Sequence, residues 1–84
     1  MPRLKRLTSR ATLRILGRFG FDVVSVKGSH TKLVRVPLEG DIGQKQILVV
    51  PMHRKMSVGT SHAIYRQAYR FIPEEDLRED FFSD

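Results

Sequence analysis

The stretch FDVVSVKGSHTKLVRV, residues 21–36, decides the fold of this chain. Residues 21–27 are rich in β-branched side chains, which favour an extended strand. Gly28 and Ser29 then supply a turn signal, and a second β-type segment, residues 30–36, begins at once on the other side. We therefore predict a β-hairpin whose second strand begins at His30.

A third strand is predicted over residues 45–51, where Pro51 stops the apolar run of KQILVVP. Before it, PLEGDIGQ (residues 37–44) contains a proline and two glycines, which is typical of a loop. Because the connections are short, the three strands are expected to form an antiparallel sheet.

The first helix is predicted over residues 8–19, with Thr8 or Ser9 as its N-cap and Gly20 as the left-handed residue after it. Helical periodicity gives it an apolar face and an arginine stripe. The apolar face holds Ala11, Ile15 and Phe19, and the stripe holds Arg10, Arg14 and Arg18. We interpret the stripe as a solvated face, with a binding face as the alternative.

The second helix is predicted over residues 59–71. Its apolar face holds Ile64, Ala68 and Phe71. Tyr65 is assigned to another side of the cylinder. A short third helix is predicted over about residues 73–81, because Pro73 suits a first helical position and three acidic residues follow it.

The element order α-β-β-β-α predicts an α+β fold. We expect a three-stranded antiparallel sheet with both main helices on one face, followed by the short C-terminal helix. Residues 1–84 are too few for more than one domain. This is the layout of a double-stranded-RNA-binding domain, and it leaves the other face of the sheet free to meet a ligand.

Charge is unevenly distributed along the chain. Residues 1–70 hold 14 of the 15 Lys and Arg residues with three acids, a net charge of +11, whereas residues 71–84 carry −5. A basic body predicts a polyanionic partner, most simply nucleic acid. A basic surface without such a partner is the alternative interpretation.

Composition limits the other options. The chain has no cysteine, which excludes disulfides and thiolate metal sites and fits a reducing compartment. Its apolar runs are too short for a membrane span, and its N-terminus lacks the apolar block of a signal peptide. We therefore expect a cytoplasmic protein that makes no use of a membrane.

His30 is the residue best placed for chemistry. Because alternate strand residues share a face, His30 and Lys32 should emerge together on the open face if Leu33 points to the helices. The hairpin then brings Lys27 close to them. An imidazole among cations that hold a phosphate can move a proton during RNA cleavage. A strand histidine without a catalytic role is the alternative.

The other histidines lead to weaker predictions. His62 lies beside arginines on the second helix and is expected at the surface. His30, His53 and His62 lack the close spacing and the acidic or cysteine companions of a metal site, so no metal is predicted. A Ser-His-Asp triad is also unsupported, because the basic body contains few acids.

The sequence resembles the HicA-type (YcfA/HicA-like) toxins of bacterial toxin–antitoxin pairs. Three pieces carry the resemblance in order: FDVVSVKGSHTKLVR (21–35), ILVVPMH (47–53) and GTSHAIYRQA (59–68). The resemblance extends over roughly residues 8–80. It implies the α-β-β-β-α fold, endonucleolytic cleavage of mRNA, and a HicB-type antitoxin that covers the active face.

The resemblance also implies residue roles. The histidine of the Gly-Ser-His turn, His30, would be catalytic. His53 matches a position often occupied by histidine in the family, and is either a second acid or base or a structural residue at the strand end. The residues predicted to bind RNA are Lys27, Gly28, Ser29, Lys32, Arg35 and Lys55. The expected protein is an mRNA interferase without metal or cofactor; a non-catalytic RNA-binding module of the same fold is the alternative.

Overall fold

The computed structural model describes residues 3–36 and 45–83. In chain order the elements are β1 (Arg3–Leu4), α1 (Ser9–Arg18), β2 (Asp22–Lys27), β3 (His30–Arg35), β4 (Gln46–Pro51), α2 (Val58–Tyr69), α3 (Glu74–Phe81) and β5 (Phe82–Ser83). The predicted α+β order is confirmed. The predicted loop at 37–44 lies outside the described residues.

The central sheet has the strand order β2-β3-β4, and both neighbouring pairs are antiparallel. The β2–β3 hairpin turns at Gly28, whose φ of +57° lies in the left-handed region that favours glycine. A register shift between Val23 and Ser25 marks a bulge in β2. The antiparallel sheet predicted from residues 21–36 and 45–51 is therefore confirmed.

The two faces of this sheet differ in cover. Leu33 of β3 and Leu48 and Val50 of β4 are buried, and both α1 and α2 pack against β4 on this side. The core comprises Ile15, Leu16, Phe21, Leu33, Leu48, Val50, Met56, Ile64, Tyr65, Ala68, Ile72, Leu77 and Phe81. On the opposite face, which we call the open face, residues such as Lys32 and Ile47 remain exposed.

Helix α1 has the predicted N-cap, because the Thr8 hydroxyl accepts a hydrogen bond from a first-turn amide at 3.0 Å. Its buried face is rotated from the predicted one. Ile15 is buried as expected, and Leu16 is fully buried beside it. Ala11 and Phe19, which were assigned to the same face, are only half-buried.

Tyr65 of α2 is buried, contrary to its predicted place outside the apolar face. The rings of Phe81 and Phe82 lie 5.7 and 5.1 Å from its ring centroid. These rings arrive with the predicted tail helix, α3, and with β5, which pairs with β1 in a two-stranded ribbon that the sequence did not indicate. Burial raises the pKa of the Tyr65 phenol, and the nearby Glu74 carboxylate raises it further.

Candidate functional site

The sheet fixes the backbone of His30 from both sides. His30 is the first residue of β3 and lies opposite Lys27 of β2 and Pro51 of β4. The turn before it is tied to β4 as well, because the Ser29 carbonyl accepts a hydrogen bond from the Met52 amide. The His30 side chain is nevertheless exposed. A rigid backbone thus presents an accessible imidazole.

Two lysines accompany His30 on the open face. Directly opposed residues of antiparallel strands point to one face with Cβ atoms roughly 4.5–5.5 Å apart, so Lys27 stands beside His30. Lys32 lies two residues along β3 and shares that face. Gly28 and Ser29 form the exposed turn next to them. The structure therefore brings five of the predicted site residues together.

The β4 side of the open face is apolar. Val49 lies opposite Lys32, and Ile47 lies opposite Val34. Val49 and Ile47 are 38% and 46% exposed, and Val34 is half-buried. We call these three residues, Val34, Ile47 and Val49, the apolar strip. The open face thus combines cations at the His30 end with a partly exposed apolar surface along β4.

Arg35 is separated from His30, although it was predicted among the RNA-binding residues. It points to the covered face, where its guanidinium lies 4.8 Å from the ring centroid of Phe21. Its Nε donates to Gln46 Oε1 at 2.6 Å, and its terminal nitrogens donate to the carbonyls of Phe19 and Phe71 at 3.0 and 2.7 Å. The side chain therefore joins the ends of α1 and α2 to the sheet.

His53 lies just beyond β4, where a buried serine holds the chain. The Ser9 amide donates to the His53 carbonyl at 3.2 Å, and the Ser9 hydroxyl accepts from the His53 amide at 2.7 Å. That hydroxyl also donates to the Pro51 carbonyl at 2.6 Å. The His53 side chain is exposed. Lys55 follows in the exposed bend before α2.

An open cleft of about 560 Å³ lies between the first turn of α1 and the chain that follows β4. We call it the basic cleft, and it is lined by Thr8, Ser9, Arg10, Met52, His53 and Arg54. Sequence reasoning missed it because Arg10 and Arg54 lie far apart in the chain. Arg10 was assigned to the solvated stripe of α1, and no local pattern singles out Arg54.

Three further features bear on function: the third histidine, metal-binding clusters and membrane-spanning helices. His62 is exposed on α2, as expected. Residues 3–36 and 45–83 contain no group of three or more His, Cys, Asp or Glu side chains placed to hold a metal ion. In the same ranges, every helix is too short or too polar to cross a bilayer.

Comparison with protein families identifies the class to which this fold and site belong. A family model described as the HicA toxin of bacterial toxin–antitoxin systems matches residues 9–69. The match begins at α1 and ends with α2, so it includes the hairpin, His30 and the end of β4. The chain belongs to the HicA toxin family. No significant match was found among curated proteins or among solved structures.

Membership of this family has a direct consequence for partners. A toxin of a toxin–antitoxin system has a cognate antitoxin, so the family implies an antitoxin partner for this chain.

Helix α3 and the β1–β5 ribbon lie outside the matched residues. These parts contribute Phe81 and Phe82 to the packing around Tyr65, a residue within the matched range.

Proposed function

We propose that this HicA family member is an endoribonuclease that cleaves mRNA without a metal ion and uses His30 as a general acid or base. One observation carries the proposal: an exposed imidazole stands beside Lys27 and Lys32 on a sheet face that is open to a ligand. The family match over the same residues supports it. The cytoplasm, where mRNA is found, is the expected location.

The proposed chemistry is attack of the RNA 2′-oxygen on the adjacent phosphorus. A base takes the proton of the 2′-hydroxyl, and the bond to the departing 5′-oxygen breaks as an acid supplies a proton to it. The products are a 2′,3′-cyclic phosphate and a 5′-hydroxyl. His30 performs one of the two proton transfers, and water or His53 performs the other.

Cations supply the electrostatic part of the mechanism. The transition state carries extra negative charge on the phosphoryl oxygens, which Lys27 and Lys32 can stabilise from positions beside His30. Lys55 extends the basic surface beyond β4. Arg35 is left out of the proposed site because its guanidinium is engaged on the covered face.

The open face is also the proposed contact for a HicB-type antitoxin. The apolar strip is uncovered in the described residues, and an apolar surface of this kind suits a protein contact better than RNA. A protein seated on the strip would lie across Lys32 and reach His30. Binding of the antitoxin and of the substrate would then exclude each other.

A cleavage assay tests this function. Purified protein incubated with mRNA should produce fragments with 2′,3′-cyclic phosphate and 5′-hydroxyl ends, and the purified antitoxin should suppress them. The alternative function, a non-catalytic RNA-binding module, is supported only by the basic surface. It predicts RNA that is retarded in a gel but remains intact.

A further inference from the structure

The basic cleft is close to His30, and neither Lys27 nor Lys32 of the proposed active site lines it. His30 pairs with Pro51 across the β3–β4 ladder, and such Cα pairs are roughly 4.5–5.5 Å apart. His53 follows Pro51 by two residues, which span at most about 7 Å. The backbones of His30 and His53 therefore lie within roughly 13 Å of each other.

The arginines of the basic cleft are available to a ligand. Arg10 and Arg54 are exposed. Among residues 3–36 and 45–83, the ion pairs are Arg18 with Asp80 and Arg78 with Glu74, so no ion pair in these ranges involves Arg10 or Arg54. Arg10 and Arg54 thus differ from Arg18 and from Arg35, whose guanidinium groups already have protein partners.

Hydrogen bonds inside the protein fix the shape of the basic cleft. Ser9 is 1% exposed and bonds to Pro51 and His53 through its hydroxyl. These contacts hold Arg10, the next residue of α1, near Arg54, the residue after His53. Because the first turn of α1 is already capped by Thr8, the side chains and not the helix end provide the binding groups.

We propose that the basic cleft binds a backbone phosphate of the RNA that flanks the phosphate cleaved at His30. Guanidinium groups bind phosphate through paired hydrogen bonds, and the exposed imidazole of His53 can donate another. Successive phosphates of an RNA strand are only several ångströms apart, so a strand lying over His30 can reach the basic cleft. The inference rests on the proposed function for its choice of RNA as ligand. It gives His53 a binding role instead of a proton-transfer role.

Binding is measured separately from cleavage. A short single-stranded 2′-O-methyl RNA keeps the phosphates but lacks the 2′-hydroxyl nucleophile, so it reports binding whether or not the protein cuts RNA. The variant Arg10→Ala/Arg54→Ala should bind this RNA roughly 10- to 100-fold more weakly at low salt. Its affinity should also depend less steeply on salt, because fewer counterions are released on binding. Fluorescence anisotropy over a salt series measures both effects.

The matched control is Arg66→Ala/Arg70→Ala. It removes the same charge from exposed positions at the end of α2. This end of α2 lies far from His30, because Arg35, at the opposite end of β3 from His30, donates a hydrogen bond to Phe71 just after α2. Thermal unfolding should show that both double variants are folded. The control variant should lose much less affinity than the cleft variant and keep a salt dependence closer to that of the wild type.

Shortening the RNA identifies the contacted phosphate. When the 2′-O-methyl RNA is shortened one nucleotide at a time from each end, the wild type should lose affinity sharply at one phosphate, and Arg10→Ala/Arg54→Ala should not. Equal affinities of the cleft and control variants would overturn the proposal. Normal RNA affinity with weakened antitoxin binding would also overturn it and would make the basic cleft a protein contact. Failure of the proposed function would be seen differently, as a wild type that binds unmodified RNA without cutting it.

Discussion

The buried hydroxyl of Ser9 donates a 2.6 Å hydrogen bond to the carbonyl of Pro51, which joins the first turn of α1 to the last residue of β4. The same oxygen accepts from the His53 amide, so one side chain positions both walls of the basic cleft. Because Pro51 is also the β4 partner of His30, this contact connects the helix layer to the proposed catalytic strand.

Replacing Ser9 with alanine should therefore destabilise the protein. Two hydrogen bonds are lost and buried polar groups are left without partners, which costs about 1–3 kcal/mol. Urea unfolding measures this, with Ser25→Ala as the control, because Ser25 is a half-buried residue of β2 and not a fully buried one like Ser9. Equal stability of the two variants would show that the Ser9 contacts contribute nothing.

His30→Ala should abolish most RNA cleavage and leave the fold intact. Loss of a general acid or base typically lowers a reaction rate by about 10²–10⁴-fold, and we expect the cleavage rate to fall by this factor. An exposed residue at a strand start contributes little to packing, so stability should change by no more than about 0.5 kcal/mol. Cleavage rates and thermal unfolding of His30→Ala are compared with those of His62→Ala, which should stay active. A folded His30→Ala protein that cuts RNA at the wild-type rate would refute the assignment.

Cleavage should survive removal of divalent ions. The described residues offer no cluster of metal-binding side chains, and the proposed chemistry needs only protons and cationic side chains. The test adds EDTA to the cleavage assay and compares the initial rates. A rate abolished by EDTA and restored by Mg²⁺ would contradict the proposed mechanism.

Arg35→Ala should destabilise the protein without removing an RNA contact. The substitution leaves the carbonyls at the ends of α1 and α2 without their donor, and we expect a loss of at least about 2 kcal/mol. Arg35→Lys should restore little of the lost stability, since a single ammonium group cannot donate to three separate acceptors as the planar guanidinium does. Unfolding curves measure the loss, and RNA binding is compared at a temperature where both proteins are folded. A stable Arg35→Ala protein with weakened RNA binding would restore Arg35 to the binding site.

Tyr65 should make the protein sensitive to alkaline pH. Its pKa is raised by burial, so the folded state holds this proton more tightly than the unfolded state. The resulting stability is fully present below the ordinary tyrosine pKa of about 10 and is lost as pH rises through the raised value. Tyr65→Phe keeps the ring and should reduce the stability lost on raising the pH above 10. Denaturant unfolding at a series of pH values around and above 10 measures this loss of stability. A Tyr65→Phe protein that loses as much stability as the wild type would contradict the prediction.

Local patterns in the sequence predicted the features that neighbouring residues determine. The Gly28-Ser29 turn and the alternation after it fixed the hairpin, and with it the common face of His30 and Lys32. These features follow from backbone conformation and strand geometry, which need no knowledge of the rest of the chain.

Features that depend on several distant elements were not predictable in this way. Arg35 was predicted at an RNA site because a cation on a strand gives no sign of the carbonyls that two helix ends will present to it. Tyr65 was placed outside the core because the helix pattern does not show that α3 and β5 return to cover it. The basic cleft brings together Arg10 and Arg54, which are distant in sequence, and the Ser9 contacts that help to hold them near each other leave no local pattern.

The bulge in β2 has a consequence for association of the toxin with itself. In the part of the chain that the structure describes, β2 pairs on one side only and exposes Val23, Val24 and Val26. A straight edge with such side chains would be a template for strand addition by a second molecule. The bulge between Val23 and Ser25 interrupts the run of evenly spaced backbone donors and acceptors. We therefore expect the irregular edge to disfavour edge-to-edge association of two copies of the chain.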